Sequence, residues 1–256
     1  MTADAKIRFL VDALNLPPGA LVDARVPKKL LVEQGAPTPT DKRAIHDGID
    51  ELQWFAACKP ATIGVPSFTD DAREYLEIAV VGCVFRPGAK AMRLIELIHR
   101  AIPYPVLLLT ADGGGLALSA AHKRRAQNEA GRTVIERVVI VSGLRTDAAD
   151  TAETAFLHSL SLAHQPRSDL YVLYSGWQAR IEALSAARLT GAFTSTDDAE
   201  AIDRRRAALD VHARLTREVE TLRGKAKREK QLNRRVDLNM AIQRFEAELA
   251  SITKNL

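Results

Sequence analysis

Cysteine is scarce in this chain, which has only Cys58 and Cys83 among its 256 residues. Two cysteines are too few for a disulfide framework, and their separation does not match the spacing of a metal-binding pair. Long apolar runs are also absent, because no stretch of about eighteen apolar residues and no secretory signal pattern occurs. We therefore expect a cytoplasmic protein that is neither membrane-spanning nor exported, with both cysteines reduced and buried.

The motifs of common catalytic sites are missing as well. The Asp112–Gly115 turn lacks the Gly-Lys-Ser/Thr that completes a phosphate-binding loop, and no helix pattern follows it. The six histidines do not combine with cysteines or acids in a zinc-binding pattern. Ser142 and Ser175 lack the Gly-x-Ser-x-Gly context of a hydrolase nucleophile. We accordingly predict no cofactor, no metal site and no catalytic residue that a motif identifies.

What the chain does have is a sheet-like central stretch, residues 61–125. A short strand at Thr62–Val65 and a long apolar run at Tyr75–Phe85 precede a helical stripe between Lys90 and Ile102. Strands at Val106–Leu109 and Leu116–Leu118 follow, joined by the glycine-rich turn. This order predicts an α/β (α+β) fold with a mixed or largely antiparallel sheet packed by helices, in which Tyr75–Phe85 is a central strand.

Further elements flank this stretch. We predict a short extended segment at Val26–Val32, and a helix that begins at Thr40 or Asp41, carries Trp54 and ends before Lys59. The remaining predictions are helices at Ala3–Leu16, Thr151–His164 and Asp169–Leu189, and a buried strand at Val138–Val141.

The last quarter of the chain has a different pattern. Gly191–Thr196 is a linker of small and polar residues, so we divide the chain into an α/β domain (1–193) and a helical region (194–256). Apolar residues then recur at alternating intervals of four and three, interrupted around Gln231–Asn233. The pattern predicts a C-terminal antiparallel helical hairpin resembling a coiled coil.

Basic residues concentrate at the predicted turn of this hairpin. From Arg204 to Arg235 the chain has twelve lysines and arginines against four acids, a local charge of +8, whereas the whole chain carries +4. Such a local excess either attracts a polyanion or is an ordinary solvated helix surface. The candidate nucleic-acid-binding residues are Lys225, Lys227, Arg228, Lys230, Arg234 and Arg235, with Lys123, Arg124 and Arg125 as a second group. The Pro27-Lys28-Lys29 segment likewise either places cations near a phosphate or is an exposed loop.

One enzymatic alternative concerns metal-dependent nucleases of the restriction type. Their cores hold Mg²⁺ with an Asp on one strand and a Glu-x-Lys pair on the next. Here the candidate strand reads Glu77-Ile78-Ala79, with alanine in the lysine position, and the nearby acids Asp70, Asp71 and Glu74 lack the required spacing. The pattern therefore does not support an active nuclease, although a diverged acidic site around these residues stays open.

Seven segments in a fixed order resemble a bacterial family described only as a domain of unknown function. They are Val26–Leu30, Ile49–Trp54, Lys59–Ile63, Glu77–Ile78, Leu94–Ile98, Ala101–Leu107 and Lys227–Asn239. Similar proteins tend to be encoded beside helicases and DNA methyltransferases in restriction and phage-defence clusters. The resemblance transfers no catalytic residue, and an insert at Thr146–Thr154 departs from the family pattern.

The resemblance and the basic hairpin together give a functional hypothesis. The chain would be a non-catalytic accessory subunit of a helicase-centred defence or restriction system, with a helicase/ATPase or methyltransferase subunit as its partner and no membrane. The hairpin would contact either DNA backbone or that partner. The alternatives are the diverged nuclease and a structural coiled-coil dimeriser.

Overall fold

The computed structural model describes residues 2–113, 115–126, 133–146 and 151–256. It divides into two compact units, Met1–Ile181 and Glu182–Leu256. Gly114 of the predicted turn and residues 147–150 of the predicted insert lie outside the described residues. No helix among those described is long and apolar enough to cross a membrane.

The first unit is built on a six-stranded, mostly antiparallel sheet with the strand order β1-β2-β5-β6-β7-β8. Only β5 and β6 pair in parallel, and the helix α5 connects them. Two further short strands, β3 and β4, form a separate ribbon. The strands are β1 (Leu21–Arg25), β2 (Ile49–Cys58), β3 (Phe68–Thr69), β4 (Glu74–Tyr75), β5 (Ile78–Phe85), β6 (Val106–Asp112), β7 (Gly115–Arg125) and β8 (Thr133–Leu144).

Seven helices of the described chain precede the C-terminal pair. They are α1 (Ala3–Ala13), α2 (Lys28–Gly35), α3 (Pro39–Gly48), α4 (Pro60–Ile63), α5 (Ala91–Ala101), α6 (Thr151–Ser159) and α7 (Leu170–Thr190). The segment 191–198 between α7 and the next helix contains neither helix nor strand.

The predicted central strand is confirmed from Ile78 onward, because β5 lies inside the sheet and all of its residues except Val84 are buried. Its predicted first residue, Tyr75, belongs instead to β4 of the separate ribbon. Helices cover both faces of β5. On one face, a Cβ at Gly82 would lie 2.3 Å from the Phe55 ring and 2.8 Å from Ile7 of α1, so glycine permits this close approach. On the other face, the buried stripe of α5 packs on the strand. A strand that is covered on both faces has a continuous apolar run in its sequence.

Three local predictions are wrong. Val26–Val32 is not extended, because α2 begins at Lys28, and its Gly35 allows close contact with Ala101 of α5. The predicted Thr62–Val65 strand is instead the short helix α4 and its exit. Proline at its first position and Gly64 in the left-handed region are ordinary helix start and stop signals.

The third error concerns the helix predicted to carry Trp54. Its N-cap is Thr38, whose hydroxyl accepts a hydrogen bond from the Asp41 N–H at 3.1 Å. The helix, α3, ends at Gly48, and the chain continues as strand β2 antiparallel to β5. Trp54 therefore lies in a strand, partly buried against the core.

The predicted helical hairpin is confirmed. Helix α8 (Ala199–Arg228) and helix α9 (Leu232–Lys254) pack through Val219, Ala226 and Ile242, with four partly buried residues around them. The helices are separated by three residues, and Glu229 and Gln231 both have extended backbone. Cys58 and Cys83 are both free and buried, as the sequence predicted.

Candidate nucleic-acid interface

The turn between α8 and α9 presents a dense group of cations, here called the hairpin tip (225–235). All six of its lysines and arginines are exposed. None of them forms an ion pair with a carboxylate among the described residues. The single acid of the tip, Glu229, accepts a hydrogen bond from the Gln231 N–H at 2.8 Å and so holds the turn. The tip therefore has a formal charge of +5.

Several arginines elsewhere on the same pair of helices have acidic partners. Arg223 and Glu246 join α8 to α9 with a nitrogen–oxygen distance of 2.6 Å. Arg204 pairs with Glu200 at 3.6 Å, and Arg214 approaches Glu218 at 4.0 Å. The hairpin tip is thus the largest contiguous group of cations without an ion pair among the described residues of the two helices.

Helix electrostatics separate five of the six cations into two groups, and Lys230 lies between the two helices. Lys225, Lys227 and Arg228 lie in the last turn of α8, where the helix dipole favours positive charge. Arg234 and Arg235 lie in the first turn of α9, which has no acidic residue and no side-chain cap, so the dipole disfavours them. Helix stability explains the first group but not the second, which makes the two arginines the stronger candidates for a functional role.

The second predicted group, at the end of β7, does not form one basic surface. Lys123 is only 3% exposed, and its ammonium donates to the Ile102 carbonyl at the end of α5. Burial lowers the pKa of Lys123 to about 7. Arg125 pairs with Glu74 at 3.1 Å. Lys123 is therefore removed from the candidate residues, whereas Arg124 is half-buried and Arg125 is exposed.

The physical reason for this correction is the alternation of side chains along a strand. Adjacent residues of a strand point to opposite faces of the sheet. The three consecutive cations of Lys123–Arg125 therefore cannot all face the solvent on one side.

Comparison with family models gives a match to Domain of unknown function (DUF4391) over residues 14–249. The chain belongs to this family. The match includes the sheet and both sides of the hairpin tip. No curated protein and no solved structure matches the chain.

The acids of the nuclease alternative are spread over separate contacts in this DUF4391 chain. Glu77 pairs with Lys59 at 3.0 Å, and Glu74 pairs with Arg125. The Asp70 carboxylate accepts a hydrogen bond from the Ala72 N–H at 2.8 Å in a tight turn. Among the described residues, no three His, Cys, Asp or Glu side chains are grouped so that they could hold a metal ion.

Sequence reasoning missed a hydrogen-bonded chain in the DUF4391 sheet domain. The Tyr75 hydroxyl lies 2.6 Å from His122 Nδ1, and His122 Nε2 lies 3.3 Å from Ser175 Oγ. The Ser175 hydroxyl donates its proton to the Tyr171 carbonyl at 2.8 Å, so His122 Nε2 is the donor to Ser175. In a neutral imidazole, Nδ1 then accepts the Tyr75 proton, while the Tyr75 oxygen also accepts from the Lys123 N–H.

This chain of hydrogen bonds joins β4, β7 and α7, and it does not activate the serine as a nucleophile. Its members are far apart in sequence and belong to no motif, so no sequence signal could have found it.

Proposed function

We propose that this DUF4391 protein is a non-catalytic accessory subunit that binds DNA backbone through the hairpin tip and binds a partner enzyme. The observation that carries the DNA-binding part is the cluster of exposed cations without acidic partners, two of them placed against the helix dipole. The partner we propose is the helicase/ATPase or methyltransferase subunit of a bacterial defence or restriction system. That context comes from the family resemblance, and the sheet domain would dock this enzyme.

Binding through the tip should be insensitive to base sequence. Lysine and arginine contacts to phosphates fix position and supply affinity, but they carry no direct sequence information. The tip has no aromatic side chain on which a base could stack. Each phosphate contact releases counterions, so the affinity should fall steeply as salt concentration rises.

The test is the salt dependence of duplex DNA binding by the parent and by the double variant Arg234→Ala/Arg235→Ala. Each lost phosphate contact flattens the slope of log affinity against log salt by about 0.9. The double variant should therefore lose about two units of slope and weaken on all sequences alike. Both side chains are exposed, so the fold should be retained.

The matched control is Arg204→Ala/Arg214→Ala, which removes the same charge from exposed, acid-paired positions of α8. This control should keep the parental slope. The DNA-binding proposal is refuted if the parent does not bind DNA at low salt, or if the tip variant binds as tightly as the parent. An equal loss in the control would show that only overall charge matters, which also refutes a contact at the tip.

A further inference from the structure

A pocket of about 350 Å³ opens in the first unit where β1 ends and α2 begins. Its lining consists of Arg25, Val26, Pro27, Lys28, Asp50 and Leu52. This volume lies within the range of small-molecule sites, which are about 300–1,000 Å³. The pocket contains part of the Pro27-Lys28-Lys29 segment, whose two sequence interpretations were a phosphate contact and an exposed loop.

Two cations, Arg25 and Lys28, line this pocket, and neither forms an ion pair among the described residues. Arg25 is exposed. The Lys28 ammonium donates one hydrogen bond to the Ile49 carbonyl, which leaves two of its three N–H groups for a ligand. The only acid of the lining, Asp50, is paired through Oδ1 with Arg86 at 3.3 Å.

The remaining lining provides two other kinds of contact. Leu52 is buried and Val26 is half-buried, so together with Pro27 they form an apolar wall. The second carboxylate oxygen of Asp50 can accept a hydrogen bond from a hydroxyl or amino group. Pro27 is also the N-cap of α2 and makes no side-chain hydrogen bond to the first turn, so no capping oxygen offsets the positive end of the helix.

These contacts define the chemistry of a matching ligand. Two cations suit a doubly charged phosphate monoester better than a single carboxylate, because arginine can bind it with two parallel hydrogen bonds while lysine adds a point charge. The apolar wall suits a planar or apolar body, and the Asp50 oxygen suits a sugar hydroxyl or an amino group. We propose that this pocket binds a nucleoside monophosphate group through Arg25 and Lys28.

Such a group exists both as a free mononucleotide and as the 5′-phosphorylated end of a nucleic-acid strand. Calorimetric titration of the full-length chain with AMP tests the first source. A trinucleotide with a 5′-phosphate, compared with the same trinucleotide with a 5′-hydroxyl, tests the second. Adenosine and inorganic phosphate, titrated separately, show whether both halves of the group are needed. The proposal does not depend on the hairpin tip, whose variants leave this pocket unchanged.

The decisive variant is Arg25→Gln, because this exposed side chain can be changed without disturbing the core. The matched control is Lys29→Gln, a neighbouring lysine whose side chain is 82% exposed and which pairs with Glu33 outside the lining. We expect saturable AMP binding that weakens at least tenfold in Arg25→Gln and is unchanged in Lys29→Gln. Lys28→Met should also weaken binding, with circular dichroism to verify its fold.

Three results would overturn the proposal. The first is that neither AMP nor the 5′-phosphorylated trinucleotide binds saturably at millimolar concentration. The second is that Arg25→Gln binds as the parent does. The third is that Lys29→Gln loses as much affinity as Arg25→Gln, which would indicate a general charge effect. Binding of the 5′-phosphorylated strand alone would assign the pocket to strand ends, and binding of AMP alone would assign it to free mononucleotides.

Discussion

The buried Lys123 should make the stability of the protein depend on pH in a defined direction. Its pKa is about 7 in the folded chain, because burial disfavours the charged ammonium, and returns to its ordinary value of 10.5 on unfolding. Between these values the unfolded chain binds more protons than the folded chain. The contribution of Lys123 to the free energy of unfolding is therefore lowest below pH 7 and rises as pH increases toward 10.5.

The expected size of this pH effect follows from the release of one proton on folding. A difference of one bound proton changes the free energy of unfolding by about 1.4 kcal/mol per pH unit. Because Lys123 is half-protonated near pH 7, the free energy of unfolding should rise between pH 7.0 and pH 8.5 by somewhat less than the full slope gives, by about 1.7 kcal/mol.

The assay is urea unfolding of the parent and of Lys123→Met at these two pH values. Subtracting the variant from the parent cancels other groups, such as Cys58, whose pKa burial raises to about 12 and which acts in the opposite direction at higher pH. Lys29→Met is the exposed control, and its difference from the parent should not change with pH. A parent-minus-Lys123→Met difference that stays constant from pH 7.0 to pH 8.5 would show that Lys123 keeps its proton in the fold.

Two further predictions concern the alternatives to DNA-backbone binding. Purified protein with Mg²⁺ or Mn²⁺ should leave duplex and single-stranded DNA intact, because Ala79 replaces the motif lysine and Glu77 is paired with Lys59. DNA cleavage that Glu77→Ala or Asp71→Ala abolishes would instead favour the nuclease alternative. Ile242→Ala should lower the unfolding free energy of the hairpin by about 2 kcal/mol, since Ile242 is buried between its helices. Met240→Ala, at a position 63% exposed, should change it little, and equal losses would contradict the packing.

Elements with a strong and undisturbed period were predictable from sequence. The change from the apolar run of β5 to the helical stripe of α5 is unambiguous, because the strand is covered on both faces and the helix on one. The seam of the helical hairpin was equally clear, since its apolar residues keep their spacing over the whole length of α9.

Strand β2 was not predictable because its own period is broken. Its pairing with β5 shifts register between Ile49 and Glu51 and again between Trp54 and Ala56. These irregularities interrupt the alternation of buried and exposed side chains that identifies a strand. The spacing of Ile49, Leu52 and Phe55 then matched a helical stripe by coincidence, and it appeared to continue the real helix α3.

The same distinction applies to the candidate site. The cations of the hairpin tip could be placed, because the break between two heptad seams marks a turn wherever the helices pack. The burial of Lys123 could not be predicted, because sequence alone does not show which face of β7 is covered. The pocket at Arg25 and Lys28 was also hidden, since it depends on α2 starting directly after β1.

The two faces of α9 also bear on the dimeriser alternative. The seam around Ile242 is already closed within one chain by α8, so dimerisation through it would have to open the hairpin. The apolar stripe available on α9 is instead Leu232, Val236 and Met240, spaced four residues apart and exposed by 48–63%. Two copies meeting at this stripe would bring their hairpin tips, each of formal charge +5, into mutual repulsion. Self-association would therefore strengthen as salt rises, whereas binding to DNA phosphates weakens, and the sign of the salt effect distinguishes the two.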